Sequence, residues 1–236
     1  MKPWVLLGET RTPAGERMTL MRHDREWMIL CNDKPLMSSR MHGSEESLAT
    51  LGCEGLTDAA APRVLVGGLG LGYTLAAALR LLPRTATVVV SEFVPAVVDW
   101  NRGPLGDLAQ HPLDDPRVTV DVADVVVTLR STPAPFDAVL LDVDNGPDAF
   151  TTPRNAALYG EAGLATIRAA LKPGGRLAIW SAEVDHAFER RLKGNGFAVQ
   201  VERVRVREGK SGPRHFIFLG RPVMPPAKAG RPRKVS

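Results

Sequence analysis

Cysteine is scarce in this sequence, with two among 236 residues, Cys31 and Cys53. Two cysteines so spaced form neither a disulfide framework nor a paired metal-binding motif, and we predict no metal site. No apolar run approaches the length that crosses a bilayer, and the first residues lack the cleavage pattern of a secretory signal. We therefore expect a reduced, cytoplasmic protein without a membrane partner.

An excess of charge of one sign is also lacking. The formal net charge is +4, and much of it falls in the segment from Arg221 to Ser236, which is rich in proline, lysine and arginine. The rest of the chain is near balance, so nucleic acid is not an expected partner. Gly230-Arg231-Pro232 resembles part of a minor-groove-binding hook, but Ala229 stands where a preceding arginine is needed. We expect residues 221–236 to form a disordered basic tail.

From Arg63 onward, β-branched runs alternate with segments of helical length. This alternation predicts the α/β class, with a parallel sheet covered by helices on both faces. The predicted strands are Arg63–Val66, Ala86–Ser91, Val118–Val122, Ala138–Leu141 and Leu177–Trp180, followed by an antiparallel pair over 199–206 and His215–Leu219. The predicted helices are Tyr73–Leu82, Pro95–Trp100, Leu158–Leu171 (closed by the stop signal 172–175) and Ala187–Lys193.

Residues 1–56 have the pattern of a small β-rich N-terminal domain. A hairpin is predicted from Met18–Arg22 and Trp27–Cys31, with a second turn at Asn32-Asp33. Ser44 is placed to cap a helix over Glu45–Leu51, whose first-turn glutamates suit the helix dipole. We therefore divide the chain into residues 1–56, a nucleoside-binding domain at 57–220, and the tail.

The most informative segment runs from Val64 to Tyr73, where a buried strand ends in glycines at alternate positions. Gly68, Gly70 and Gly72 permit strained dihedrals and let a ligand approach the backbone closely. The helix that follows directs its unpaired N–H groups into the same turn. This arrangement is typical of sites that hold a nucleotide-like molecule at the end of a parallel sheet.

The spacing of these glycines separates three kinds of nucleotide site. A dinucleotide turn requires glycine or alanine where Tyr73 stands. A phosphate-binding P-loop requires a glycine where Val204 precedes Gly209-Lys210-Ser211. The remaining pattern, G-x-G-x-G, resembles the first motif of AdoMet-dependent methyltransferases.

Two acids follow the next two strands of the predicted sheet. Glu92 can accept hydrogen bonds from both ribose hydroxyls, and Asp124 is placed for an adenine amino group. The alternative is that the glycines serve packing and the acids are solvated loop residues. We interpret Glu92 and Asp124 as binding an AdoMet-type nucleoside together with the glycine turn.

Further stretches resemble the spermidine synthase (polyamine aminopropyltransferase) family within the AdoMet-dependent methyltransferase superfamily. The resemblance implies a Rossmann-like, seven-stranded AdoMet-methyltransferase fold with a small N-terminal domain leaning over the nucleoside site. It also implies transfer of an aminopropyl group from decarboxylated AdoMet to a small amine, and commonly a homodimer. The stretches are Met41-His42-Gly43-Ser44-Glu45-Glu46, Gly67-Gly68, Val90-Ser91-Glu92, Val122-Ala123-Asp124 and Phe136-Asp137-Ala138-Val139-Leu140-Leu141-Asp142.

The resemblance assigns roles to single residues. Asp142 matches the catalytic aspartate, which holds the attacking amine and accepts its proton. His42 and Tyr159 fall in segments that surround the substrates, and Glu45 and Asp144 suit a pocket for a cationic acceptor. Each of these residues also has a purely structural interpretation. His42 would be a structural histidine in a turn, Tyr159 would pack in the core, and Glu45 would be a favourable charge at a helix start. The other histidines (His23, His111, His186, His215) show no ligand spacing and are expected at the surface or at strand edges.

Two departures from the family pattern keep other functions open. Gly70 replaces an aspartate that holds the amino group of decarboxylated AdoMet. The catalytic loop reads Asp142-Val143-Asp144-Asn145-Gly146-Pro147 where the family has D-S-S-D-P. Without an acid at position 70, intact AdoMet becomes an acceptable donor, so an AdoMet-dependent small-molecule methyltransferase is the first alternative. A non-catalytic protein that binds a thioadenosyl nucleoside or DNA is the second.

Overall fold

The computed structural model describes residues 3–143, 157–206 and 213–223. Its N-terminal part is an antiparallel sheet in which four described strands are neighbours in chain order. The turns between the last three strands place Asp24, Asn32 and Asp33 at positive φ, which short polar side chains tolerate. The predicted hairpin and second turn are confirmed. The strands are β1 (Val5–Arg11), β2 (Arg17–His23), β3 (Glu26–Cys31) and β4 (Lys34–Ser38).

A larger sheet follows, with seven strands among the described residues. They are β5 (Arg63–Gly67), β6 (Thr87–Ser91), β7 (Val118–Asp121), β8 (Phe136–Leu141), β9 (Leu171–Ser181), β10 (Phe197–Arg205) and β11 (Arg214–Pro222). The strand order is β10-β11-β9-β8-β5-β6-β7. Strands β5 to β9 pair in parallel, whereas β11 is antiparallel to both β9 and β10. The predicted α/β sheet with an antiparallel last pair is confirmed.

Helices connect these strands and cover the sheet. They are α1 (Gly43–Gly52), α2 (Tyr73–Leu81), α3 (Pro95–Arg102), α4 (Val125–Ser131), α5 (Glu161–Ala170) and α6 (His186–Gly194). Helix α4 is not predicted from its sequence, because it opens with three valines, which favour strands. The Asp124 side chain caps it by accepting a hydrogen bond from the Val126 N–H, and this local cap outweighs the β propensity.

The predicted helix 158–171 differs at both ends from the helix observed. Helix α5 begins at Glu161 and ends at Ala170, and the predicted stop signal instead opens β9. Gly174 lies there at φ +78°, the left-handed conformation that favours glycine. The helix does end at the predicted signal, but residues 172–175 already belong to strand β9.

The core lies on both faces of the large sheet, because neighbouring residues of a strand point to opposite sides. On β5, Val66 packs with the N-terminal sheet, including Leu20 and Ile29. Leu65 packs on the other face with residues of α5 and α6, such as Phe188. The small sheet thus shares one core with the side of the large sheet that carries α1 and α2.

Helix α1 falls within the predicted domain 1–56, yet it packs on the large sheet. Near its end, the Arg176 guanidinium of β9 donates to the Leu51 carbonyl oxygen (2.6 Å) and pairs with Glu54. At its start, the Gly43 N–H donates to the Val206 carbonyl oxygen (3.0 Å) just after β10. Both ends of α1 are therefore held against the sheet, which positions the acidic residues of its first turn.

The predicted tail begins inside β11, since Pro222 pairs with Phe197 of β10. Residues 224–236, with the hook-like motif, lie outside the described residues. In the part of the chain that the structure describes, no helix is long and apolar enough to span a membrane.

Candidate active site

The glycine turn lies where β5 meets the segment that follows β8. Gly68, Gly70 and Gly72 have φ values of +87°, +51° and +86°. A Cβ atom at position 68 would collide with the Asp142 carbonyl oxygen, and the Asp142 N–H donates to the Gly67 carbonyl oxygen (2.8 Å). Only glycine allows the two backbones to approach so closely. The turn and Asp142 are therefore held together by main-chain contact.

Glu92 follows β6 and holds the turn from the other side. Its Oε2 accepts a hydrogen bond from the Leu69 N–H (2.9 Å), and its Oε1 accepts one from the Val94 N–H (2.8 Å). Burial raises the pKa of Glu92, and these backbone donors oppose the rise. Each carboxylate oxygen has two lone pairs. Binding of ribose hydroxyls is compatible with this geometry and stays a prediction.

Asn101 is a part of the site that sequence reasoning missed. Its side-chain amide donates to the carbonyl oxygens of Gly70 and Val97, each at 2.9 Å. A Cβ at Gly72 would lie 2.9 Å from its Oδ1. The signal was present in the sequence, because asparagine inside a helix is unfavourable unless its side chain has a partner.

Asp124 lies at the carboxyl end of β7, beside the strand that carries Glu92. Its Oδ1 accepts a hydrogen bond from the Val126 N–H (2.8 Å) and thereby starts α4. Parallel strands bring both acids to one edge of the sheet. A contact between Asp124 and an adenine stays a prediction.

Asp142 is partly buried at the end of β8 and has one short hydrogen bond. Its Oδ2 accepts from the Thr74 hydroxyl at 2.6 Å. Burial raises the pKa of Asp142 to about 6, and the Thr74 hydrogen bond opposes the rise by stabilising the charged form. Thr74 was missed by sequence reasoning. Its signal is a hydroxyl directly after a glycine turn, on a helix that is otherwise apolar.

Glu45 approaches Asp142 from α1. Burial and the charge of Asp142 raise the pKa of Glu45 to about 7. The Thr74 hydroxyl lies 3.5 Å from the Glu45 carbonyl oxygen, so α2 contacts both acidic segments. Two carboxyl groups that oppose each other's ionisation favour a cation between them. We call Glu45 and Asp142 the carboxyl pair.

Ser44 does not cap α1 as predicted. The helix begins at Gly43, whose N–H is satisfied by Val206 after β10, so no side-chain cap is needed there. The Ser44 hydroxyl instead lies 2.6 Å from Glu45 Oε2 and 2.9 Å from Nδ1 of His215. Ser44 is therefore the link between the carboxyl pair and β11.

The expectation that His215 is a surface or strand-edge residue is wrong. Its imidazole is half-buried between Ser44 and the ring of Trp180, whose centroid lies 4.6 Å away. The strand order explains the difference: β11 inserts between β9 and β10, and α1 packs across its end. Sequence spacing contains no sign of this contact.

The other predicted substrate-binding residues are placed differently. His42 stacks on Tyr73 at the start of α2 (ring centroids 4.1 Å apart). Tyr159 is fully buried and packs edge-on against Phe188 at 5.4 Å, as the core-packing alternative expects. Substrate roles for both stay predictions. Asp144 lies outside the described residues.

The N-terminal sheet covers the glycine turn. A Cβ at Gly70 would lie 3.0 Å from the sulfur of Met37 on β4. The Tyr73 hydroxyl lies 3.5 Å from the Ser39 carbonyl oxygen, just after the same strand. The small domain therefore leans over the turn, as the family resemblance implies. Within residues 3–143, 157–206 and 213–223, no cluster of His, Cys, Asp and Glu is arranged to hold a metal ion.

The strand order and the antiparallel last pair place the chain in the class of AdoMet-methyltransferase folds. Two solved structures support this assignment. Spermidine synthase from Thermotoga maritima has a TM-score of 0.72 at 18% identity, covering 93% of this chain and 74% of that one. A spermidine synthase in complex with the transition state analogue AdoDATO has a TM-score of 0.71 at 17% identity, covering 93% and 73%. These likenesses confirm the predicted fold.

The chain is also similar in sequence to polyamine aminopropyltransferases. That of Mycobacterium tuberculosis is 38% identical over 119 residues, which are 49% of this chain and 22% of that protein. Polyamine aminopropyltransferase 2 of Streptomyces coelicolor is 33% identical over 160 residues, 64% of this chain and 28% of that protein. The chain thus spans about a quarter of these relatives. No family model matches it. The predicted resemblance to the spermidine synthase-like family is confirmed.

Proposed function

We propose that this chain transfers an aminopropyl group from decarboxylated AdoMet to a small amine. The observation that carries the proposal is the carboxyl pair beside the glycine turn: the Thr74 hydroxyl lies 2.6 Å from Oδ2 of Asp142 and 3.5 Å from the Glu45 carbonyl oxygen, and the Asp142 charge adds to burial in raising the pKa of Glu45. Such a pair suits a substrate that brings positive charge. The similarity to proteins named polyamine aminopropyltransferase supports the same chemistry.

The donor would lie across the glycine turn. Gly68, Gly70 and Gly72 hold the turn at positive φ, so the nucleoside can approach its backbone without side chains in between. Glu92 would hold the ribose and Asp124 the adenine, as both lie at the carboxyl ends of neighbouring strands. The donor supplies a sulfonium sulfur and, next to it, the carbon that is attacked.

The acceptor would be held by the carboxyl pair. Alkylamines have a pKa near the ~10 of lysine, so they arrive protonated at neutral pH. Asp142 and Glu45 can bind the ammonium group, and its charge favours their ionised forms. We propose that His42, which stacks on Tyr73 at the start of α2, lies at the border between the acceptor and donor sites.

The reaction then needs one proton transfer and one substitution. The ammonium group loses a proton to the carboxyl pair, with Asp142 as the base. The free electron pair of the nitrogen attacks the carbon beside the sulfonium. The carbon–sulfur bond breaks, its electrons stay on sulfur, and methylthioadenosine leaves. Much of the acceleration would come from holding nitrogen, carbon and sulfur in line.

Release of methylthioadenosine from decarboxylated AdoMet and putrescine tests this proposal. The wild-type protein should release it, and Asp142→Asn should lower turnover roughly a hundredfold or more. Asp58→Asn, which changes an exposed carboxylate, is the matched control. Absence of product with putrescine, spermidine and longer diamines would reject aminopropyl transfer.

One observation favours a second candidate, an AdoMet-dependent methyltransferase acting on a small molecule. Gly70 has no acid to repel the carboxylate of intact AdoMet, and Met37 covers that position. This function predicts tighter binding of S-adenosylhomocysteine than of methylthioadenosine. Calorimetry with both nucleosides separates the two candidates.

We further propose, from the family resemblance, that the chain acts as a homodimer in the cytoplasm. Light scattering of the purified protein tests the dimer. Localisation of a tagged protein in its native cell tests the compartment.

A further inference from the structure

Ser44 joins two groups that the proposed reaction does not otherwise bring together. Its hydroxyl oxygen lies 2.6 Å from Oε2 of Glu45 and 2.9 Å from Nδ1 of His215. Ser44 is fully buried. The hydroxyl therefore has two partners within hydrogen-bond distance, a carboxyl group on one side and an imidazole on the other.

A hydroxyl has one proton, so the three groups can share protons in two ways. If Glu45 is ionised, Ser44 donates to it and accepts from an Nδ1–H of His215. If Glu45 is protonated, its O–H donates to Ser44, and Ser44 donates to a bare Nδ1 of His215. The two arrangements differ by the shift of one proton along each hydrogen bond.

The surroundings bias this balance. Burial raises the pKa of Glu45, and the charges of Asp142 at the end of β8 and of Glu46 on α1 raise it further. His215 faces Trp180 from β9 and is paired with Val204 of β10, and burial lowers its pKa. Both effects favour the neutral arrangement until a cation approaches the carboxyl pair. A bound ammonium group would favour the ionised one.

We propose that Ser44 and His215 form a proton relay that carries the proton of Glu45 to the partly exposed imidazole of β11 when a cationic acceptor binds the carboxyl pair. The inference rests on the proposed function for its physiological role. Before the cation binds, the proton resides on Glu45 Oε2 and Nδ1 of His215 is bare. As the cation approaches, Glu45 passes its proton to Ser44, Ser44 passes its own to Nδ1, and Nε2 of His215 releases one to water. Glu45 is then ionised, His215 carries its proton on Nδ1, and the reverse transfers restore the first arrangement when the cation leaves.

The ring nitrogens of His215 report the relay without any turnover. In the wild-type protein labelled with ¹⁵N-histidine, neutral His215 should change from the Nε2–H to the Nδ1–H tautomer as Glu45 ionises. The signal is identified by its loss in His215→Gln. Ser44→Ala should abolish the change, and Ser47→Ala should preserve it, because that hydroxyl donates to Gly43 within α1. If His215 of the wild-type protein keeps the same tautomer throughout the titration of Glu45, the relay is overturned, whether or not the variants fold.

Steady-state kinetics give a second readout. Ser44→Ala and His215→Gln should raise the acceptor KM roughly tenfold near neutral pH and leave kcat within about twofold, because ionisation of Glu45 rather than the substitution step is impaired. His186→Gln, at an exposed site on α6, is the matched control. A tautomer change without methylthioadenosine release would reject the proposed function and retain the relay. Turnover with an unchanged acceptor KM in both relay variants would reject the relay and retain the function.

Discussion

The Thr74 hydroxyl donates a 2.6 Å hydrogen bond to the Asp142 carboxylate across 68 positions of sequence. The contact joins the helix after the glycine turn to the end of β8. It exists because Gly68 lets the backbone of Asp142 pass against the turn. The glycine turn and the Asp142 carboxylate are thereby held in a fixed relation.

Thr74→Val should shift the pH dependence of turnover to higher pH. The hydroxyl stabilises the ionised form of Asp142, so its loss raises the pKa of that carboxyl further above its usual range. At neutral pH we expect a roughly tenfold loss in kcat, which recovers in part under alkaline conditions. Thr166→Val is the control, since that hydroxyl bonds only within α5. An unchanged acidic limb in Thr74→Val would refute the assignment.

Asp142→Asn should stabilise the fold above neutral pH although it removes activity. The folded-state pKa of about 6 exceeds the usual 3.8, so the folded protein keeps a proton that the unfolded chain gives up. The free energy of unfolding of the wild type therefore falls as pH rises between those values. At about pH 8 the variant should gain on the order of 1 to 3 kcal/mol, and almost nothing at about pH 3. Urea unfolding at both pH values, with Asp58→Asn alongside, measures the difference.

Gly70→Asp combined with Met37→Ala should make the protein prefer decarboxylated AdoMet over AdoMet. An acid at position 70 repels the carboxylate of AdoMet, and removing Met37 clears the sulfur that lies 3.0 Å from the new Cβ. Affinity for decarboxylated AdoMet should exceed that for AdoMet by about tenfold. Gly70→Asn with the same Met37 change has a similar shape but no charge, and it should show no such preference. Equal preferences in the two double variants would contradict the prediction.

Glu92→Gln should weaken binding of methylthioadenosine and destabilise the turn. The amide replaces one acceptor oxygen by a donor that faces the Leu69 or Val94 N–H. We expect a loss of about 1 to 3 kcal/mol in unfolding free energy and at least a tenfold loss in affinity. Calorimetry and urea unfolding check both, with the exposed Glu161→Gln as reference. Undiminished affinity would disprove a ribose-binding role for Glu92.

Much of the architecture could be predicted because its signals are local. The β-branched runs of β5 and β6, and the proline that opens α3, lie next to the structures they specify. Helix α4 was not found, since Asp124 caps a segment whose valines favour a strand. The role of Ser44 was misassigned because a backbone oxygen after β10 serves the helix start instead. Local rules failed where a distant segment supplied the deciding partner.

Periodicity and glycine geometry act over a few residues, so the parallel sheet, the glycine turn and the acids that end the strands are readable from the amino-acid sequence alone. Tertiary structure alone decided that Glu45 faces Asp142, that Thr74 bonds Asp142, and that Ser44 meets His215 across 171 positions. Those pairings depend on strand order and on where α1 packs. The protonation of the carboxyl pair depends in turn on burial and mutual repulsion, which arise only once distant segments are brought together.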